Sequence, residues 1–285
     1  MSDRLLTEEE IGQYRRLGYV VVPELIAADT LAEIDDAIQK LTTAALGQED
    51  YSDILELEPG DGPPIARRVY NPFEQHEAFE RLGRAEQILD RVEQLVGPDL
   101  QVQHSKLNMK PAAVGSAVEW HQDLTYFPHT NDDLLAALVY LDDATEENGC
   151  LQILPAQHTA FLDHTTDDGM FAGMITEDLS SHIPNAVALP APAGSVIFIH
   201  CLTPHSSLPN RSPHPRRTMI FEYQAADAFP IYLGEMTALS EGLPVQVRGK
   251  PSTRVRFGNI EPVIPRLASR VRSLYDLQAR HLTES

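Results

Sequence analysis

The sequence predicts a mainly β protein with flanking helices, built on a double-stranded β-helix (a jelly-roll, cupin-like core) with helical support ahead of it. Two observations carry this. Up to the Gly97–Pro98 break the apolar residues recur at helical spacing. Beyond it, short runs rich in β-branched and aromatic residues alternate with Gly/Pro turns, as in closed antiparallel architectures.

The elements follow in order. Thr7 and Glu10 form a capping-box pair, and Gly18 is a stop, so a helix is expected between them. Tyr19–Val22 is a short strand ended by Pro23. A second helix fits Asp29–Leu46, with Leu31, Ile34, Ile38 and Leu41 on one face. Residues 47–66 are acidic and Gly/Pro-rich and read as an exposed loop; two shorter helices fit Phe73–Leu82 and Ala85–Val96. The strand candidates are Leu100–Met109, Ala117–His121, Leu134–Leu141, Leu151–Leu154, Ala186–Leu189, Ser195–His200 and Arg217–Tyr223. Residues 161–185 show little periodicity, and a loop of that length in a compact domain is usually functional. A last helix fits Pro265–Arg280. The organisation expected is one domain over 1–285: helical to about 98, jelly roll over about 99–225, and a C-terminal extension with a helix over 226–285.

Composition narrows the function. With 22 Lys and Arg against 42 Asp and Glu, the formal net charge is −20, which argues against nucleic acid as a partner and weakly against a polyanionic substrate, unless a local basic pocket overrides the global balance. No apolar stretch approaches the length of a membrane span, and the charged N-terminus is not a secretion signal, so no membrane partner and a cytoplasmic location are expected. Two cysteines, Cys150 and Cys201, imply no disulfide framework and read as buried strand residues. Nothing in the sequence sets an oligomeric state.

The chemistry concentrates around His121 and Asp123. Side chains two apart on a strand share a face, so an imidazole and a carboxylate meet at one point if the strand continues through Asp123. A third ligand must come from elsewhere, and His200 and His205 lie in the second histidine-bearing segment, 199–210. His200 ends an apolar run and reads as a packed core residue. Two imidazoles and one carboxylate leave three positions of an octahedral metal open, which suits Fe(II) holding a cosubstrate and O₂. A dicarboxylate cosubstrate needs a planar bidentate cation at its far end, and Arg216, on the strand after the turn 209–215, is placed to supply one.

Taken together, His121 to Pro128, Leu141 to His158, and His205 to Ser212 followed by Arg216 resemble the phytanoyl-CoA dioxygenase family of Fe(II)/2-oxoglutarate-dependent oxygenases; the similarity spans most of residues 7–225. The resemblance implies His121, Asp123 and His205 as metal ligands and catalytic centre, with Arg216 clamping 2-oxoglutarate and Ser207 adding a hydroxyl to the same carboxylate. It implies cosubstrate contacts from Lys106 and Asn108, which alternate along one strand face. Gln122 should point away from the metal. Relatives often carry Trp where this chain has Leu138, so that wall of the cosubstrate site is built differently here. Halogenating relatives replace the metal-binding carboxylate with a small residue; Asp123 is present, so hydroxylation of a small organic molecule, such as a natural-product intermediate, is the outcome implied, with release of succinate and CO₂.

The remaining candidates are weighed on sequence alone. His104 is on the Lys106/Asn108 face and lines a pocket or packs in the core. His129, His158, His164, His182 and His214 lie in loop-like sequence and read mostly as surface, His158 being the one at a family position. Tyr126 is the best aromatic candidate for a substrate wall, and Arg217 should face away from Arg216. Gly149 reads as a turn residue, and Arg67 and Arg68 as the other basic pair within reach of an acidic ligand, a role not assigned to them. Residues 161–185 and the acidic loop 47–63 are expected to shape the entrance. Two other classes fit the same residues: a non-oxidative enzyme with Zn(II) on the triad, and a non-catalytic jelly-roll binder of small molecules.

Overall fold

The computed structural model describes residues 4–231, 244–262 and 273–284. The helices are α1 (Glu8–Leu17), α2 (Ala28–Leu46), α3 (Pro72–Gln75), α4 (Glu77–Gly83), α5 (Glu86–Val96) and α6 (Leu274–Glu284). The strands are β1 (Tyr19–Val22), β2 (Leu55–Leu57), β3 (Ala66–Tyr70), β4 (Leu100–Lys110), β5 (Val118–His121), β6 (Leu134–Tyr140), β7 (Leu151–Ile153), β8 (Val187–Ala188), β9 (Val196–His200), β10 (His205–Ser207), β11 (Arg216–Ala225) and β12 (Val245–Arg248).

The capping box at α1 forms as the sequence predicts: Thr7 Oγ1 accepts from Glu10 N, and Glu10 Oε2 accepts from Thr7 N at 2.8 Å. Gly18 closes the helix in the left-handed region at φ 83°. The expected Phe73–Leu82 helix is two, because His76 is extended (φ −152°, ψ 134°); it ends α3, and its ring then caps α4 by accepting from Ala78 N. The stretch read as an exposed loop over 47–66 contains β2, with Leu55 buried, and leads into β3. The short strands β10 and β12 are further elements that periodicity does not reveal. Part of the expected Pro265–Arg280 helix lies outside the described residues; the described helix starts at Leu274.

The strands form two antiparallel sheets, a large one in the order β1-β9-β6-β11-β4-β3-β2, with β12 also on β4, and a small one in the order β5-β10-β7-β8. Parity divides the large sheet. On β6 and β11 the odd residues Leu135, Ala137, Val139, Met219, Phe221 and Tyr223 face outward and pack on Ile11, Ile34, Ile38, Phe79, Leu82, Ile88 and Val92 of the N-terminal helices. The even residues Ala136, Leu138, Tyr140 and Ile220 face inward and meet Leu151 and Ile153 of the small sheet. Burial on both faces is why β6 reads as an unbroken apolar run.

The same parity separates two adjacent arginines. Arg217 turns outward and makes a bidentate pair with Asp142 (2.9 and 2.7 Å), with Asp35 of α2 on its remaining nitrogen. This pins a helix to the sheet at a partly exposed site. Arg217→Ala should therefore lower stability by about 1–2 kcal/mol, read as a shift in the urea midpoint, and leave cosubstrate affinity unchanged.

Candidate functional site

The small sheet brings the predicted triad together. In the β5–β10 ladder His205 lies directly opposite His121, and the two rings are 4.1 Å apart, centroid to centroid. Asp123 arrives differently from the expectation. The strand ends at His121, and Asp123 opens a 3-10 turn, Asp123–Thr125, held by Leu124 N donating to Cys201 O and by Thr125 Oγ1 donating to Gln122 O. The carboxylate still reaches the same point: Asp123 Oδ1 is 3.9 Å from His121 Nε2, and Oδ2 is 3.7 Å from His205 Nε2. The three ligand atoms lie within 4.8 Å of one another, and all three residues are buried; no other such cluster occurs among the described residues.

Each ring nitrogen has a distinct task. His121 Nδ1 is 2.8 Å from Glu119 O, and His205 Nδ1 is 2.9 Å from Thr203 O. A carbonyl only accepts, so both Nδ1 atoms carry the proton and both Nε2 lone pairs point at the cluster centre. Burial, with His205 alongside, holds the pKa of His121 well below the usual imidazole range, so it is neutral and able to ligate. Burial opposes ionisation of Asp123, but Lys106, His205 and His121 outweigh it and hold its pKa below the usual carboxylate range. Gln122 turns away: its amide donates to Ala160 O and Leu202 O and accepts from Leu162 N, tying the turn to the segments on either side.

Beside the triad is a cavity of about 620 Å³ between the two sheets. The β4–β11 register lines it two by two: Lys110 opposite Arg216, Asn108 opposite Thr218, Lys106 opposite Ile220. Leu138 and Tyr140 form the β6 wall, Ser207 the β10 wall, and Leu274 and Tyr275 of α6 the roof. The Arg216 guanidinium is fully buried. Nε and Nη2 donate to Gly149 O at 3.0 and 2.5 Å, Nη1 donates to Thr218 Oγ1 at 2.7 Å, and no described carboxylate pairs with it. Gly149 thus does more than turn the chain, since its carbonyl orients Arg216. Lys110 is a buried amine at this end, its Nζ donating to Leu208 O (2.9 Å) and Ser116 O; burial, with Arg216 nearby, pulls its pKa down to about 6. Asn108 Oδ1 is buried with no hydrogen-bond partner. An uncompensated guanidinium fits a bound carboxylate, while the orphaned amide oxygen, an acceptor, calls for a donor.

Lys106 sits at the other end of this face, 3.0 Å from Glu222 and 3.5 Å from Asp123. Glu222 is buried, and burial together with Asp123 pushes its pKa up to about 7. A second chamber of about 390 Å³ opens past the triad, lined by Arg68, His104, Lys106, Tyr126, Phe127 and Leu274 together with the ligands His121 and Asp123. Tyr126 packs edge-on to His121, with its hydroxyl donating to Gly173 O.

Other expectations are corrected here. His129 and His164 are buried: His129 bridges Phe127 O and Gln224, and His164 Nε2 accepts from Gln122 N. His158 is also buried, but it packs on His200 and Gly18, away from the triad. His200 accepts from Leu202 N and lies beside Asp132, also away from the site. Neither 161–185 nor 47–63 lines either chamber; β3, through Arg68, and α6 do so instead. Lys110, Glu222, Leu274 and Tyr275 are among the lining residues that sequence reasoning missed, and Arg68, named from the sequence without a role, lines both chambers. Alternation along Ala66–Tyr70 and continuation of β4 by one residue are the signals that place Arg68 and Lys110.

Comparison with known proteins agrees with this geometry. The profile of the phytanoyl-CoA dioxygenase (PhyH) family matches residues 14–218. The chain is 32% identical over 230 residues to a probable alpha-ketoglutarate-dependent hypophosphite dioxygenase of Stutzerimonas stutzeri, covering 78% of this chain and 80% of that one. It is 25% identical over 241 residues to L-proline trans-4-hydroxylase of Streptomyces griseoviridis (77% and 87% covered). Among solved structures, the epimerase SnoN in complex with Fe3+, alpha-ketoglutarate and nogalamycin RO superposes with a TM-score of 0.66 at 26% identity, over 88% of this chain and 96% of that one. EctD from S. alaskensis, with 2-oxoglutarate and 5-hydroxyectoine, shares the fold at a TM-score of 0.69 and 24% identity, over 92% and 90%. A His-Asp-His cluster in a jelly roll thus coincides with a sequence match over most of the length, and the chain belongs to the phytanoyl-CoA dioxygenase family of Fe(II)/2-oxoglutarate-dependent oxygenases.

Proposed function

We propose that His121, Asp123 and His205 hold the catalytic Fe(II), that Arg216 with Ser207 and Thr218 binds the far carboxylate of 2-oxoglutarate, and that a compact organic molecule is hydroxylated in the chamber lined by His104, Tyr126 and Phe127. The observation that carries this is two Nε2 atoms and one carboxylate converging within 4.8 Å, beside a cavity that ends on a buried guanidinium with no carboxylate of its own. What bound iron, 2-oxoglutarate and O₂ supply is an oxidant able to break a C–H bond, with succinate and CO₂ released.

The chain's own residues do the rest. The Glu119 and Thr203 carbonyls hold the two imidazoles in the ligating tautomer. Gly149 O and Thr218 orient the guanidinium so that its remaining donors face the cavity. Asn108, opposite Thr218, offers an amide along the length of the cosubstrate. Lys106 adds positive charge beside Asp123 and keeps that carboxylate ionised. Leu138, Tyr140, Leu274 and Tyr275 exclude water from the cavity, so each charge-assisted contact acts in a low-dielectric setting. Hypophosphite, ectoine and proline, the molecules named for three of the relatives, are compact, and a compact substrate suits the small chamber lined by His104, Tyr126 and Phe127 here.

Anaerobic addition of Fe(II) and 2-oxoglutarate should produce the visible charge-transfer band of an iron–2-oxo acid chelate, which Zn(II) cannot give. In air the protein should release succinate slowly without substrate. His121→Ala, Asp123→Ala and His205→Ala should each cut that release by about 100-fold or more; wild-type rates in these variants would remove the triad from the reaction. Arg216→Ala should raise the 2-oxoglutarate requirement by about 10- to 100-fold and leave the iron affinity in place.

Gly149→Ala probes the support for Arg216. At φ 78° an added Cβ would lie 2.2 Å from Leu208 O, so the turn must move and take the carbonyl with it. A loss of about 1–3 kcal/mol in stability is expected, with weaker 2-oxoglutarate binding in a titration followed by the charge-transfer band. Unchanged affinity would show that Gly149 serves the turn alone.

A further inference from the structure

Lys110 and Arg216 stand directly opposite each other in the β4–β11 ladder, and both line the larger cavity. Two basic side chains at such positions repel each other when both are charged. A guanidinium keeps its proton, so the lysine is the one that yields.

Lys110 cannot turn away to solvent. It is 2% exposed, and its stem lies against two glycines: a Cβ on Gly115 would be 2.6 Å from Lys110 Cβ, and one on Gly149 would be 3.3 Å from Lys110 Cδ. Its Nζ donates to Leu208 O at 2.9 Å and to Ser116 O. Two carbonyls use both hydrogens of a neutral amine and leave its lone pair available for a proton. The charged groups that face Lys110 are Arg216 from β11, Glu58 from the stretch between β2 and β3, and Glu119 from β5. Glu58 is engaged elsewhere: it accepts from Ser116 N at 3.1 Å and from Ser116 Oγ at 2.5 Å, with Arg67 4.0 Å away. Lys110 forms no ion pair among the described residues. Burial and Arg216 therefore outweigh the two glutamates, and at pH 7 the amine is mostly neutral.

A carboxylate seated on Arg216 changes that balance. It cancels the charge that opposes protonation of the lysine and brings a negative oxygen into the same cavity. Building on the reading that places the far carboxylate of 2-oxoglutarate at Arg216, we propose that Lys110 takes up a proton as the cosubstrate binds and so joins Arg216 as a second cation for that carboxylate. The Leu208 and Ser116 carbonyls keep two of the ammonium's donors, and the added proton makes a third available to the ligand. Both carboxylates of 2-oxoglutarate are ionised near neutral pH, so the lysine sets the slope. A group whose proton is held more tightly in the complex strengthens binding at low pH. Affinity is therefore greatest below about pH 6, falls by up to about tenfold per pH unit above it, and levels off once Lys110 is neutral in the complex as well.

The test is anaerobic titration calorimetry of the Fe(II)-loaded protein with 2-oxoglutarate at about pH 7.5, in PIPES and in Tris. These buffers differ in ionisation enthalpy, so the two heats together count the protons taken up. Uptake of about half a proton or more per 2-oxoglutarate is expected, with affinity falling about tenfold between about pH 6.5 and 8. Lys110→Met should abolish both the uptake and the slope. Lys110→Arg, whose charge does not titrate, should abolish them too while keeping a cation in place. No uptake in the unmodified protein would overturn the proposal, and that measurement needs no variant. Uptake and slope retained in either variant, with a thermal midpoint showing it folded, would also overturn it. The underlying reading fails separately: the iron–2-oxoglutarate band would be missing, or Arg216→Ala would leave affinity unchanged. A normal band and a normal Arg216 effect without proton uptake would overturn the role of Lys110 alone.

Discussion

The site depends on one register: the pairing of β10 with β5 that sets His205 opposite His121. A ladder with a side-chain period of two has no intermediate positions, so a slip of one residue would turn His205 to the other face and bring Ser206 to the triad. β10 is three residues long, but β5 and β7 hold it on both sides and fix its register twice, with His205 opposite both His121 and Ile153. The carbonyls of Glu119 and Thr203 then fix ring orientation, so the imidazoles are arranged by backbone and need no side-chain partner to choose their tautomer. Asp123 is freed from the ladder by its 3-10 turn, which lets its carboxylate lie between the rings where a continued strand would carry it past them.

Charge follows the same inward face. β4 presents His104, Lys106, Asn108 and Lys110, and β11 answers with Glu222, Ile220, Thr218 and Arg216. Only one of these is a carboxylate, and it is already engaged by Lys106. Placing several basic groups and few acidic ones in a buried face is costly, and burial beside Arg216 accordingly pulls the pKa of Lys110 down to about 6. Binding a dianionic cosubstrate and a divalent metal with its own carboxylate redistributes that charge. The site is therefore built around its ligands, and part of the folding free energy is held back as affinity for them.

The sequence shows the fold class and the triad because each leaves a local signature: alternation in the long strands, a His and an Asp two apart, an Arg after a turn. The residues it hides are those whose role comes from tertiary pairing. β2 and β3 lie behind an acidic, Gly/Pro-rich stretch, and their pairing is supported by the Arg67–Glu56 ion pair, at 2.5 Å, which periodicity cannot show. β10 lies between Pro204 and Pro209, too short for any pattern to register. His129 and His164 look like loop surface because their segments lack periodicity, yet both are buried by hydrogen bonds to backbone and to Gln224 or Gln122. Leu274 and Tyr275 roof the cavity from a helix more than 140 residues beyond the first ligand, a distance over which no local rule operates.

The period of two explains how neighbouring arginines take opposite tasks. Arg216 enters the cavity, while Arg217 leaves it to hold α2 through Asp142 and Asp35. The pair on β3 divides in a related way: Arg68 lines both chambers, while Arg67 sits over the ring of Tyr275, 4.2 Å from its centroid, and bonds Ser273, anchoring the start of α6. Each pair couples a residue facing the site to one that secures the surrounding scaffold. Opposite faces keep the two tasks apart: loss of the outward Arg217 is felt in stability, and loss of the inward Arg216 in binding. That asymmetry separates recognition from support in a site where nearly every polar side chain is buried, because the pleat of one strand assigns each task to its own face.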